Sequence, residues 1–208
     1  MTIQKRNDFN DIFLNRKSIR KYDTTHKISN ETIKQIVNET LRTPSANNLE
    51  PWYVVAIATD EAKKKYSHLF PYNRLQYETS SVMFVLFADL DYAKNANEIF
   101  QTAVDLGQMD IQTKERQLER FTDKDNMPKD VIEKSAIFDT GLLAMSLMLV
   151  ARSHGFDTCP IGGFDKENAA GAFNLVNYEA VVAVSMGLSD DTGYDSIRLP
   201  FDKIAKIF

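Results

Sequence analysis

The chain of 208 residues has a single cysteine, Cys159. One thiol closes no intramolecular disulfide and builds no zinc site. Long hydrophobic runs are also missing. The longest, LLAMSLMLVA at 142–151, is about half of what a membrane-spanning helix needs. The first residues carry no apolar segment of the kind a secretory leader has, so a soluble cytoplasmic protein without a membrane partner is expected. Positive charge is not in excess: 25 Lys and Arg stand against 29 Asp and Glu, a net charge of −4. No basic field is available for binding nucleic acid by counterion release, although a local cluster can hold one small anion. Repeats, low-complexity tracts and Pro/Gly-rich linkers are absent, so residues 1–208 read as a single domain.

Several chemistries find no support. There is no G-x-G-x-x-G after a strand, no G-x-x-x-x-G-K-[ST] phosphate loop, no H-E-x-x-H and no G-x-S-x-G elbow. His26, His68 and His154 are scattered without ligand spacing. If the protein is an enzyme, a bound cofactor carries the hard chemistry.

What is present is a set of interleaved helix and strand signals. Phe9, Ile12 and Phe13 lie on one face of a short helix capped by Asn7 or Asp8, and 16–22 is loop or extended chain. Ser29 caps a second helix with the apolar face Ile33, Ile36, Val37 and Leu41, ending before Pro44. Strand 53–58 precedes a helix from Asp60 through Leu69, and strand 82–88 is apolar enough to be covered on both faces. One long helix is expected over 95–121, then a charged loop at 123–127. Pro128 opens a helix running to His154, with Gly155 as its terminator. Its 142–151 segment is apolar nearly all round, which fits a central buried helix. A strand at 156–160, a Gly162–Gly163 turn, a helix capped by Asp165 and a strand at 179–186 follow, then a mixed tail. The two longest helices are consecutive, unlike a doubly wound fold. The class is therefore α+β (alternatively α/β), a mixed central sheet covered by helices in an α/β/α sandwich-like arrangement.

Three segments offer chemistry. Arg16-Lys17-Ser18-Ile19-Arg20 packs three cations and a hydroxyl into five residues. In extended chain Arg16, Ser18 and Arg20 point the same way, a claw suited to phosphate. Taken alone, a solvated basic stretch is the commoner reading of such a run. The loop Thr43-Pro44-Ser45-Ala46-Asn47-Asn48-Leu49-Glu50-Pro51-Trp52 offers donors and acceptors for a heteroaromatic edge, or is an ordinary helix-to-strand connection. Cys159-Pro160-Ile161-Gly162-Gly163-Phe164-Asp165 lets backbone approach a ligand closely, or is a tight turn capped by Asp165.

Together these segments resemble the nitroreductase family of FMN flavoproteins: R-x-S-x-R near the N-terminus, P-S-x-x-N-x-x-P-W near residue 50 and P-I-G-G-F-D near residue 160. Asn73-x-x-Gln76 and Arg198-Leu199-Pro200 fit the same order, and the resemblance spans residues 15–200. It implies an FMN-dependent NAD(P)H oxidoreductase, an intertwined homodimer with shared flavin sites. NADPH or NADH would give a hydride to flavin N5, and a nitroaromatic, quinone or related small acceptor would then take the electrons in ping-pong order. Arg16, Lys17, Ser18, Arg20 and Arg198 would grip the phosphate and ribityl chain. Position 196, basic in many members, is serine here.

The same resemblance brings Ser45, Ala46 and Asn48 to the ring from the other subunit and Asn73 and Gln76 to its pyrimidine edge. It places the Pro160, Ile161, Gly162 and Gly163 turn near N5. Glu50 stands where many members have glutamine; it either depresses the flavin potential or points to solvent. Gly162 stands where some members have glutamate. Phe100, Phe121 and Phe138 lie where members place an aromatic lid, with core packing the better reading for each. No role falls to Cys159, because a buried free cysteine is usually inert. No side chain is required as acid or base. The alternatives are a specialist flavoenzyme on the same fold, a non-enzymatic flavin-binding or redox-regulatory module, and a phosphate-ligand domain using the claw alone.

Overall fold

Among the described residues four strands, β1 (Trp52–Ile57), β2 (Val82–Asp89), β3 (Asp157–Ile161) and β4 (Tyr178–Gly187), form one sheet in the order β1-β2-β4-β3. All eight residues of β2 are buried. Successive side chains leave a strand on opposite faces, so an all-apolar strand needs a cover on each side. Val82, Phe84 and Leu86 enter one layer with Ile33, Ile36, Leu143 and Leu147. Met83, Val85 and Phe87 enter the other with Ile57, Leu69, Phe70, Tyr77 and Phe164. Each pair of neighbouring strands is antiparallel. The four-stranded sheet is therefore antiparallel rather than mixed as expected; a parallel bridge between Ser18 and Thr158, on the outer edge of β3, is isolated and lies outside the named strands.

The computed structural model describes residues 5–91, 93–121 and 128–208; the expected charged loop at 123–127 lies outside them. Helix α1 (Phe9–Leu14) is capped by Asp8, which accepts from the Asn10 N–H at 2.9 Å. Helix α2 (Asn30–Thr40) is capped by Ser29, whose Oγ accepts from Thr32 N at 3.1 Å. Helix α3 (Asp60–Tyr66) starts one residue earlier in register than its first carboxylate implies. Thr59, not Asp60, is the cap, and the segment closes in a 3-10 turn at Ser67–Leu69.

Helix α4 (Arg74–Thr79) was not anticipated from the sequence. The expected long helix over 95–121 is two helices, α5 (Ala96–Asp105) and α6 (Ile111–Glu119). Gly107, at φ +69°, breaks them, and Asp110 starts the second by accepting from Thr113 N at 2.7 Å. The left-handed conformation there costs glycine little.

Helix α7 (Lys129–Ser153) runs from Pro128 to Gly155 as expected and lies across the Val82/Phe84/Leu86 face of the sheet. Among the described residues it alone is long and apolar enough to cross a bilayer, yet one side of it is the core of this layer. Its opposite side leaves Phe138 66 % exposed. Helix α8 (Lys166–Ala172) is capped by Asp165, and α9 (Phe201–Ile204) lies in a tail whose Ile197, Ile204, Ile207 and Phe208 are all exposed.

Candidate functional site

The basic segment follows the end of α1 and runs along the outer edge of β3. The Ile19 N–H donates to Thr158 O at 3.0 Å beside the Ser18–Thr158 bridge. Extended pairing gives the expected alternation. Ile19 turns inward and is buried, while Arg16, Ser18 and Arg20 are half-buried. Tyr22 locks the segment down. Its buried hydroxyl lies 2.7 Å from Ile19 O and 2.8 Å from Ser185 Oγ, and burial pushes its ionisation well above the ordinary phenol range. Gly187 makes room for this ring, since a Cβ there would lie 2.9 Å from Tyr22 Cδ1.

The claw itself is only partly satisfied. Arg20 donates to Ser18 O at 3.3 Å and covers the Tyr194 ring at 5.1 Å. Lys17, on the opposite side of the strand, pairs with Asp195 at 2.6 Å. Arg16 Nη1 is buried without a hydrogen-bond partner, and so is Thr158 Oγ1. A buried guanidinium N–H left unpaired is costly, and an anion of phosphate geometry would satisfy it. Beneath the claw lies Cys159. Burial raises its thiol pKa, partly opposed by the charge of Arg20, a hydrogen bond from Ser18 and the charge of Arg16. Tyr194, Asp195 and Thr158 are site neighbours that the sequence did not single out. Only the R-x-S-x-R spacing pointed this way, and it carries no trace of partners so far along the chain.

At the far end of β3 a second group assembles. Asn73 opens α4, and its Nδ2 donates to Gly163 O at 2.6 Å. Gln76 Nε2 donates to Asn73 Oδ1 at 3.3 Å. Gly163 approaches closely, as an added Cβ would touch Asn73 Nδ2 at 3.5 Å, whereas Gly162 borders open space. Pro160 is exposed, and Ile161 turns its side chain into the core, leaving only its backbone for a ligand. The expected pair and the glycine turn are thus in contact, and β3 links them to the claw.

The third segment lies elsewhere. Ser45 Oγ accepts from Glu50 N at 3.0 Å, and Ala46 N donates to Asp139 Oδ2 at 3.0 Å. Asp139 is buried on α7, and that burial raises its pKa despite the Ala46 N–H. Asn47, Asn48 and Glu50 all have positive φ, so the loop is tightly wound. It leads into β1, and the sheet order puts β1 and β3 on opposite edges, about 14 Å apart at ordinary strand spacing. The loop borders a groove of 780 Å³ whose walls include Asn48, Glu50, Trp52, Phe100 and Met109. Trp52 Nε1 is buried there without a partner. Arg198 is exposed and, among the described residues, bonds its neighbour's carbonyl, Ile197 O, at 3.1 Å. A single chain therefore does not bring Ser45, Ala46, Asn48 or Arg198 to the claw. Of the three lid candidates, Phe100 and Phe121 pack together in a small core at 6.3 Å, and Phe138 is exposed.

Comparison with known proteins identifies the family. The model of the nitroreductase family matches residues 14–188. The Bacillus subtilis protein YdgI, provisionally named an NAD(P)H nitroreductase, is 42 % identical over 205 residues, 97 % of this chain and 98 % of YdgI. A protein of Exiguobacterium sibiricum 255-15, provisionally named a nitroreductase and solved in complex with FMN, superposes with a TM-score of 0.96. It is 39 % identical, with 100 % of each chain covered. A Staphylococcus epidermidis protein, provisionally named an NAD(P)H:FMN oxidoreductase, gives a TM-score of 0.96 at 34 % identity, covering 100 % of this chain and 99 % of its own. The chain belongs to the nitroreductase family.

Proposed function

We propose that the protein is an FMN-dependent NAD(P)H oxidoreductase that reduces small acceptors such as nitroaromatics or quinones. The observation that carries this reading is the buried Nη1 of the half-buried Arg16, without a hydrogen-bond partner among the described residues, beside Ser18 and Arg20 on the β3 edge. The set fits the phosphate of FMN, and the nearby amides fit its ring. FMN held there would supply the redox chemistry, carrying electrons from NADPH or NADH to the acceptor in ping-pong order.

The residues divide the work of binding. Arg16, Ser18 and Arg20 hold the phosphate end; Lys17 contributes less, because Asp195 already engages it. Asn73 and Gln76 present amide groups to the polar edge of the ring. The Gly162–Gly163 turn offers backbone to the ring, with open space at Gly162. Among the described residues no acid–base pair is set out beside these groups, which fits a chain that positions a cofactor and tunes it by hydrogen bonds.

The same reading makes the protein a homodimer. Ser45, Ala46 and Asn48 reach a flavin only if it is held by a second copy, and Arg198 likewise needs a tail that crosses over. The exposed Phe138 and Leu142 stripe on α7, the exposed apolar tail and the groove beside β1 are surfaces that a second copy would cover. A cytoplasmic location goes with a nicotinamide-dependent reductase.

The test is anaerobic addition of NADPH, then NADH, to FMN-reconstituted protein while the oxidised-flavin band is followed. Bleaching, and recovery when a nitroaromatic or quinone is added, is the expected result. A yellow protein that neither nucleotide bleaches would leave a flavin-binding module or a specialist with another reductant. A protein that never takes up FMN overturns the reading.

A further inference from the structure

We propose that Lys63 is a positioning residue for the Asn73–Gln76 pair, its ammonium holding one end of α4 so that the other end presents those amides at a fixed place. This rests on the reading of Asn73 and Gln76 as groups that hold FMN. Helix α4 has six residues, far short of the roughly 12–15 that a helix needs to persist without tertiary support. Its last carbonyls have no partner within the helix, and that end of a helix favours a cation. Lys63 supplies one. Its Nζ donates to Tyr77 O at 2.9 Å and to Ser80 O, with Ser80 Oγ at 3.5 Å.

The two residues Lys63 grips are the two that hold the ligand-side residues. The Tyr77 N–H donates to Asn73 O at 3.1 Å, and the Ser80 N–H donates to Gln76 O at 3.1 Å. Tyr77 and Ser80 are thus each bonded through their carbonyl to the ammonium and through their N–H to the main chain of the amide pair. The clamp is reciprocal, because Tyr77 Oη donates to Lys63 O at 2.6 Å. The Tyr77 ring stacks on Phe70 at 4.5 Å, and Phe70 on Phe164 at 5.6 Å, immediately after the Gly162–Gly163 turn. Both halves of the ring-binding group therefore stand on one frame.

Lys63 is only 8 % exposed and makes no ion pair among the described residues. A lysine buried without a carboxylate partner is uncommon. The groups facing it are Lys27 and Asp60, bonded to each other at 2.9 Å, and the Tyr77 phenol, which burial keeps neutral. Burial, with a lesser push from Lys27, lowers Lys63 to about 8. The protonated form grips both carbonyls with charge-assisted hydrogen bonds, the stronger kind. The clamp is therefore tightest well below about pH 8 and weakens as pH rises through that value.

The test measures the FMN dissociation constant, visible flavin spectrum and flavin midpoint potential of wild-type protein and Lys63→Met between pH 7 and pH 9. Wild-type affinity should fall about tenfold across that range, the effect of losing one charged hydrogen-bond donor. Lys63→Met should bind FMN about tenfold more weakly at pH 7, vary little with pH, and show a shifted spectrum and potential. If Lys63→Met does not fold, the wild-type pH profile decides: a fall supports the clamp and a flat profile overturns it. Weaker binding with unchanged spectrum and potential also overturns it, since that is the signature of a merely structural lysine. Wild-type protein that binds FMN well beside an indistinguishable Lys63→Met overturns this inference alone. Wild-type protein that binds no FMN overturns the proposed function and the inference together.

Discussion

Arg16 holds a guanidinium nitrogen in a buried position with nothing to donate to, which the free protein tolerates at a cost. Replacing it should therefore separate binding from stability. Arg16→Ala is expected to weaken FMN binding by about 1.5–3 kcal/mol, one charge-assisted hydrogen bond, while the melting temperature of the FMN-free protein stays level or rises. Flavin fluorescence titration and thermal unfolding of the stripped protein measure the two effects; an FMN-free protein that melts much earlier would mean that Arg16 is structural. Glu39 offers a second residue-scale prediction. His154 Nε2 lies 2.7 Å from its Oε2, and that hydrogen bond, with one from Gln35, lowers the Glu39 pKa below its ordinary 4.5. The unfolded chain takes up this proton first as pH falls. The stabilisation is complete above the ordinary value and is lost as pH drops through the folded one. Glu39→Gln should flatten the acid limb of a melting-temperature profile between about pH 3 and 6, and an unchanged limb would discount the pair. At this scale the sequence was legible where period-two geometry acts alone, as in Arg16, Ser18 and Arg20. It placed Lys17 in the same grip but gave no sign of its partner Asp195, which is 178 residues away and is brought back only by the fold.

Helix α7 and strand β2 were visible in advance because both are apolar beyond what a surface element tolerates. Leu147 lies at their contact with essentially no exposure. Leu147→Ala should cost about 2–5 kcal/mol, read as a drop in urea midpoint, and a loss below about 1 kcal/mol would mean that the layer repacks. Helix α4 was invisible for the opposite reason. It has six residues, no side-chain cap from Asn73 and one buried residue, Tyr77, so its stability comes from Lys63 and neighbouring rings rather than from its own pattern. The break between α5 and α6 left a trace, Gly107 followed by Asp110. The apolar spacing on both sides masked it.

The molecule as a whole separates what the motifs place together. Strand-rich segments and helix signals indicated a covered sheet, but nothing local could state the order β1-β2-β4-β3, which puts the loop at Ser45 and the claw at Arg16 on opposite edges. Strand pairing depends on contacts between distant segments, which periodicity does not encode. If two copies complete each site, removing residues 200–208 should yield a chain that elutes as a monomer or aggregates through its uncovered apolar surfaces, with FMN affinity lost although every claw residue remains. Light scattering and flavin titration check this, and a stable yellow dimer from the shortened chain would refute the crossing tail.

The Tyr22 ring resting on Gly187 gives the claw an unexpected genetic neighbour. Even alanine there would lift the tyrosine, and with it the Ile19 carbonyl and the strand that carries both arginines. A screen for colonies that lose their yellow colour should thus return position 187, on the inner strand β4, alongside Arg16 and Arg20. A compensating change to a smaller ring or side chain at 22 would be the first suppressor to look for.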